Sequence, residues 1–179
     1  GGNGLATVIE RGGRLALRVK HAEAETRRNF AGLDYWLGGM AWQVPARFVA
    51  HPPGKTLPVL DVLGNTQQIA NPGVLEFELG DKPLRLEALD EGEGTLFIVF
   101  ADRTSGHGSY PAGRFIDAPM PDKQGRVVID FNQAYNPPCA FTPFATCPLA
   151  PPENRLDVAV EAGEKTYAKH ADAAAGAAP

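Results

Sequence analysis

The chain has 179 residues, of which 17 are Lys or Arg and 21 are Asp or Glu, giving a formal charge of -4. That length suits one domain with a sizeable core, and the acidic balance argues against nucleic acid or an anionic membrane surface as a partner, because both need a basic footprint. The 20 Gly and 16 Pro favour many short elements joined by turns, and no run approaches the roughly 20 apolar residues of a membrane-spanning helix.

Gly1-Gly2-Asn3-Gly4 opens the chain without Met, and residues 1–6 read as a processing or cloning remnant. The compartment stays open. From 7 to 167 the pattern is that of a single β-rich domain. After a turn at Gly12-Gly13, Leu15, Leu17 and Val19 alternate with Arg18 and Lys20, as in a half-buried strand. Ala22 to Phe30 lacks β-branched residues apart from Thr26 and suits a short helix. Gly32 to Gln43 holds Tyr35, Trp36, Met40 and Trp42 around Gly38-Gly39, a loop with aromatic anchors.

Short strands are expected at Val44 to Ala50, Leu57 to Leu63 and Thr66 to Ala70, the last two joined by a tight turn at Gly64-Asn65. Asn71-Pro72-Gly73 predicts another turn. Val74 to Leu79 and Leu84 to Ala88 each alternate apolar with charged residues, and Thr95 to Phe100, apolar nearly throughout, is the expected central strand. Arg114 to Asp117, Arg126 to Phe131 and Leu156 to Val160 complete the set. The fold class is therefore mainly β, an antiparallel sandwich or open barrel of short strands with one short helix and a long Pro-rich loop. The Ala-rich tail 168–179 reads as disordered.

Between Asn136 and Pro152 the chain places six prolines and both cysteines. Proline fixes φ and removes a backbone donor, so this segment must be a rigid, non-repetitive loop. Cys139 and Cys147 are read as a disulfide outside the cytosol or as buried thiols inside it, in preference to a nucleophile, and their spacing matches no zinc pattern.

Alternation along the Thr95 to Phe100 strand carries Asp102 onto the face of Leu96, Ile98 and Phe100. A carboxylate there needs a partner, and Arg114 is the natural one. A cluster of Asp102, Arg114, Asp130 and Glu164 serves either as a ligand-binding or acid-base group or as a structural ion-pair network. His107, in the Thr104 to Gly108 turn, is the histidine an enzymatic reading would use. Asn132, Asn136 and Asn154 would satisfy backbone groups that the prolines leave unpaired. Tyr135, Phe141 and Phe144 beside these amides would make a pocket rim with apolar walls, and the expected ligand-binding set is Asp102, Tyr110, Arg114, Asp130, Asn132 and Asn136. No metal and no cofactor is implied; the expected partner is a small polar ligand.

The phrases Asp102-Arg103-Thr104-Ser105-Gly106, Tyr110-Pro111-Ala112-Gly113-Arg114, Asp130-Phe131-Asn132, Asn136-Pro137-Pro138-Cys139-Ala140, Cys147-Pro148-Leu149 and Pro151-Pro152-Glu153-Asn154 occur in that order. With Ala162-Gly163-Glu164 they resemble the bacterial family called domain of unknown function 1684, from about Val8 to Tyr167. Ala150 departs from the family's proline run, and Asp34 to Val44 departs from its usual phrase. The resemblance implies a bacterial or archaeal origin and longer relatives with an added N-terminal segment. It supplies no reaction, cofactor or catalytic residue.

Overall fold

The computed structural model describes residues 4–11 and 13–167, so the expected disordered tail lies outside the described residues. The chain forms two compact units, Gly1–Gly32 and Leu33–Pro179. The division has a local cause. The strands of the first unit, β1 (Gly4–Arg11) and β2 (Arg14–His21), pair antiparallel with each other alone, setting Ala6 opposite Val19 and Val8 opposite Leu17. Leu15, Leu17 and Val19 do share a face, but all three are exposed. The half burial expected of this strand is thus absent, because a two-stranded ribbon brings no second layer of its own. The expected helix contracts to the single turn α1 (Glu25–Arg28), which has no side-chain cap and too few residues to repay nucleation.

The second unit is an antiparallel sheet of β3 (Gln43–Ala50), β4 (Thr56–Leu60), β5 (Thr66–Leu79), β6 (Lys82–Asp90), β7 (Thr95–Phe100), β8 (Arg114–Pro119) and β9 (Arg126–Asp130). Its order is β8-β7-β6-β5-β3-β9, with β4 on the first half of β5. The end strands β8 and β9 approach each other, so the sheet is nearly closed, an open barrel. The protein is mainly β.

Two apolar layers explain the strand patterns. Leu75, Phe77, Leu86, Leu96, Ile98, Phe100, Ile116, Val127 and Ile129 fill the inside. Leu89, Phe97, Val99 and Phe115 point outward, where Leu57 and Val59 of β4 and Cys147 and Ala150 of the Pro-rich segment cover them. β7 is apolar on both faces because it lies between these layers. It is nevertheless next to last in the sheet order; β5 and β6 hold the centre.

Two further expectations change. Asn71-Pro72-Gly73 does not end a strand: β5 runs through it with a register shift between Ala70 and Gly73. A bulge absorbs the proline and lets β5 bend from β4 to β3. Leu156 to Val160 is not a strand but an irregular segment that bends at 157–158, held by a bridge from Arg155 to Ala101 and by the Arg103 amide donating to Val158 O. The turn at Gly64-Asn65 forms as expected: Gly64 has φ 84°, and the buried Asp61 carboxylate accepts the amides of Leu63 and Asn65.

Candidate functional site

Asp102 follows β7 on the inner face, and Arg114 opens β8 opposite Phe100. Arg114 Nη2 donates to Asp102 Oδ2 at 2.9 Å, and each side chain is about 1% exposed. The guanidinium also donates to the carbonyls of Val160, Ala162 and Glu164, and among the described residues its Nε has no partner. Burial lowers the Arg114 pKa, and the adjacent Asp102 carboxylate opposes that. Asp102 Oδ1 accepts the amides of Thr104 and Val160. Both groups are consumed inside the protein, where they tie the 160–164 segment to the barrel.

The other expected residues lie in separate places. Asp130 ends β9, and its carboxylate accepts from Gln43 Nε2, Gln133 Nε2 and both the amide and Nδ2 of Asn132. Burial acts to raise its pKa, but these donors outweigh it and hold the group below the ordinary carboxylate value. Asn132 meets Gly39 with both ends of its amide, at 2.9 and 3.0 Å, and so pins the loop before β3. Asn136 is buried; its amide donates to Glu164 Oε2 at 2.7 Å and its Nδ2 to Lys165 O. Tyr110 is half-buried, and burial raises its phenol. Thus Asp102 and Arg114 meet, Asn136 and Glu164 meet, and Asp130 with Asn132 forms a clamp of its own.

His107 is exposed, and among the described residues its Nδ1 hydrogen-bonds Ser105 O at 3.3 Å. Among the described residues, the histidine paired with a carboxylate is His51, whose Nε2 lies 2.7 Å from Glu87 Oε2 with both side chains about 15% exposed. Lys55 Nζ stands 3.0 Å from the same nitrogen. Burial acts to raise Glu87, but the bonds from His51 and Asn71 and the nearby Lys55 charge prevail and lower it. This pair is invisible in the sequence because β3 and β6 are not neighbours in the sheet order; only the β5 bulge and the 51–55 turn bring them together.

The Pro-rich segment is cross-linked and tied to β4. Cys139 and Cys147 form a disulfide, and Leu149 donates its amide to Leu60 O. Asn154 is fully buried: Oδ1 accepts the Glu87 amide at 2.7 Å, and Nδ2 donates to Glu87 O and Val99 O. It stitches β6 to β7 where their ladder is reduced to the pair Leu89 and Phe97.

Beside this segment opens a cleft of about 450 Å³. One side is the turn Ala101, Asp102, Arg103 and Ser105; the other is Leu149, Ala150, Arg155 and Leu156, with Pro111 and Ala112 between them. Asp102 is the expected site residue that lines it. Arg103 and Arg155 escaped notice in the sequence, although alternation from the inward Asp102 does send Arg103 outward. Among the described residues, no three His, Cys, Asp or Glu side chains gather to hold a metal ion.

A family model described as "Protein of unknown function (DUF1684)" matches residues 28–165. The chain belongs to this family. The DUF1684 protein also resembles a structure solved by solution NMR, the uncharacterized protein from gene locus rrnAC0354 of Haloarcula marismortui. The two share 31% identity over 80% of this chain and 81% of that one, with a TM-score of 0.64. No curated protein matches the chain.

Proposed function

We propose that this DUF1684 protein is a β module that binds a small polar ligand in the cleft beside the Pro-rich segment. The observation that carries the reading is the cleft itself. It is concave, walled by Pro111, Leu149, Ala150 and Leu156, and supplied with a few polar groups, the usual composition of a small-ligand site. Its walls are preorganised: the disulfide and the Asn154 amide fix one side, and the Asp102 network fixes the other, so little ordering cost remains for binding.

Of the six expected ligand residues, Asp102 stands at the cleft and Tyr110 adjoins its Pro111 wall. Arg114 supports Asp102 from behind, while Asp130 and Asn132 hold the loop at Gly39 and Asn136 holds the 164–165 segment, outside the cleft lining. An amide-resolved NMR titration with a mixture of small polar compounds tests the proposal. Shifts concentrated at 101–105, 111–112 and 149–156 are expected; a response absent from these segments overturns it.

A further inference from the structure

Resting on that reading, we infer that the ligand is a small organic anion, a carboxylate or phosphate carried on a short apolar body, with its charged end between Arg155 and Arg103. The protein as a whole is acidic, at -4, yet the side chains that bring exposed charge to this cleft are two arginines. Asp102 also lines it, but Arg114 and two backbone amides already occupy its carboxylate, so it offers an arriving ligand no free negative end. The two exposed guanidiniums give the cleft a local positive character that attracts anions, although the exposed Asp157 beside Arg103 offsets part of it.

The two guanidiniums differ in how they are held. Arg103 pairs with Asp157, but the side chains are 64% and 77% exposed, and such a pair in water is weak enough to yield to a better acceptor. The Arg155 amide donates to Pro152 O, but among the described residues no acceptor meets its guanidinium. Their backbones are set side by side: Arg155 bridges to Ala101, the Leu156 amide donates to Ala101 O at 2.8 Å, and the Arg103 amide donates to Val158 O at 2.9 Å. A planar guanidinium presents paired donors that match carboxylate and phosphate oxygens. Behind these donors the walls are apolar, so the remainder of the ligand is apolar and short enough for about 450 Å³.

The test uses the full chain and three probes of one body length: hexanoate, hexyl phosphate and the neutral hexanamide. Hexanoate, hexyl phosphate or both shift the amides of 101–105 and 149–156, whereas hexanamide does not; which anion binds tells carboxylate from phosphate. Arg155→Gln, at an exposed position, weakens that binding about tenfold, as expected for one lost charge-assisted contact, and Arg155→Lys restores part of it. Raising salt from about 0.05 M to about 0.5 M weakens it as well. Hexanamide binding as well as hexanoate sinks the anion class and leaves the pocket standing. Equal anion binding by the Arg155→Gln protein removes Arg155 as the partner. No response in these segments to any of the three probes, or to small polar compounds generally, overturns the pocket reading itself.

Discussion

Arg114 of β8 meets Asp102, just past the end of the neighbouring β7, at 2.9 Å from donor to acceptor, with each side chain about 1% exposed. Two buried opposite charges contribute little net stability as a pair, but removing one strands the other. Arg114→Met therefore leaves an unpaired buried carboxylate and frees three carbonyls. We expect a loss of about 3–5 kcal/mol, read from urea denaturation. A change below about 1 kcal/mol would mean that water reaches Asp102 and that the network is not closed.

Backbone geometry protects the same arginine. Gly113 has φ 102°, and a Cβ there would lie 2.5 Å from Phe100 O. Gly113→Ala must both enter a conformation that L residues avoid and push β7 away from β8. A marked fall in Tm is expected, with Gly125→Ala as the milder control, since its nearest neighbour would lie at 3.4 Å. Similar melting of the two variants would contradict the close approach at Gly113.

The Asn154 amide replaces ladder hydrogen bonds between β6 and β7. Asn154→Ala leaves the Glu87 amide and the carbonyls of Glu87 and Val99 without partners, at a cost on the order of 3 kcal/mol. Amide hydrogen exchange checks it residue by residue: Glu87 should lose protection most, while the β3–β5 ladder keeps its own.

Acid should loosen the protein through particular carboxylates. Glu87 and Asp130 both have folded pKa values held below their ordinary ones. A lowered folded value stabilises the fold fully above the unfolded carboxyl range, about 3.9–4.3, and that contribution is lost as pH falls through the folded value. Stability should decline across acidic pH, and Glu87→Gln should flatten the decline. An unchanged acid limb in that variant would show that the His51–Glu87 contact is not formed in solution.

Reduction tests the strap. The Cys139–Cys147 bond restricts the unfolded chain more than the folded one, and its loss costs about 2–4 kcal/mol. Paired melts with and without reductant should separate accordingly, while the far-UV spectrum at room temperature stays that of a β protein.

Local pattern was sufficient for the features that depend on neighbours in the chain. A strand has period two, so Leu96, Ile98 and Phe100 oriented Asp102 inward, and the cost of burying a lone charge called for a partner such as Arg114. Proline density likewise announced a stiff segment, and the turn at Gly64-Asn65 was written in its residues. The DUF1684 phrases placed the chain in its family.

Contacts between remote segments carry no such periodic trace. Nothing in Leu149-Ala150 or Arg155-Leu156 says that they face Ala101 to Ser105, because prolines erase alternation and the distance is closed by the backbone bridge from Ala101 to Arg155. The bulge at Asn71-Pro72-Gly73 likewise turned an apparent strand end into a bend that brings His51 to Glu87. The residue-by-residue code sets which way a side chain points; which distant side chain it meets is decided when the barrel bends and the Pro-rich layer covers its outer face.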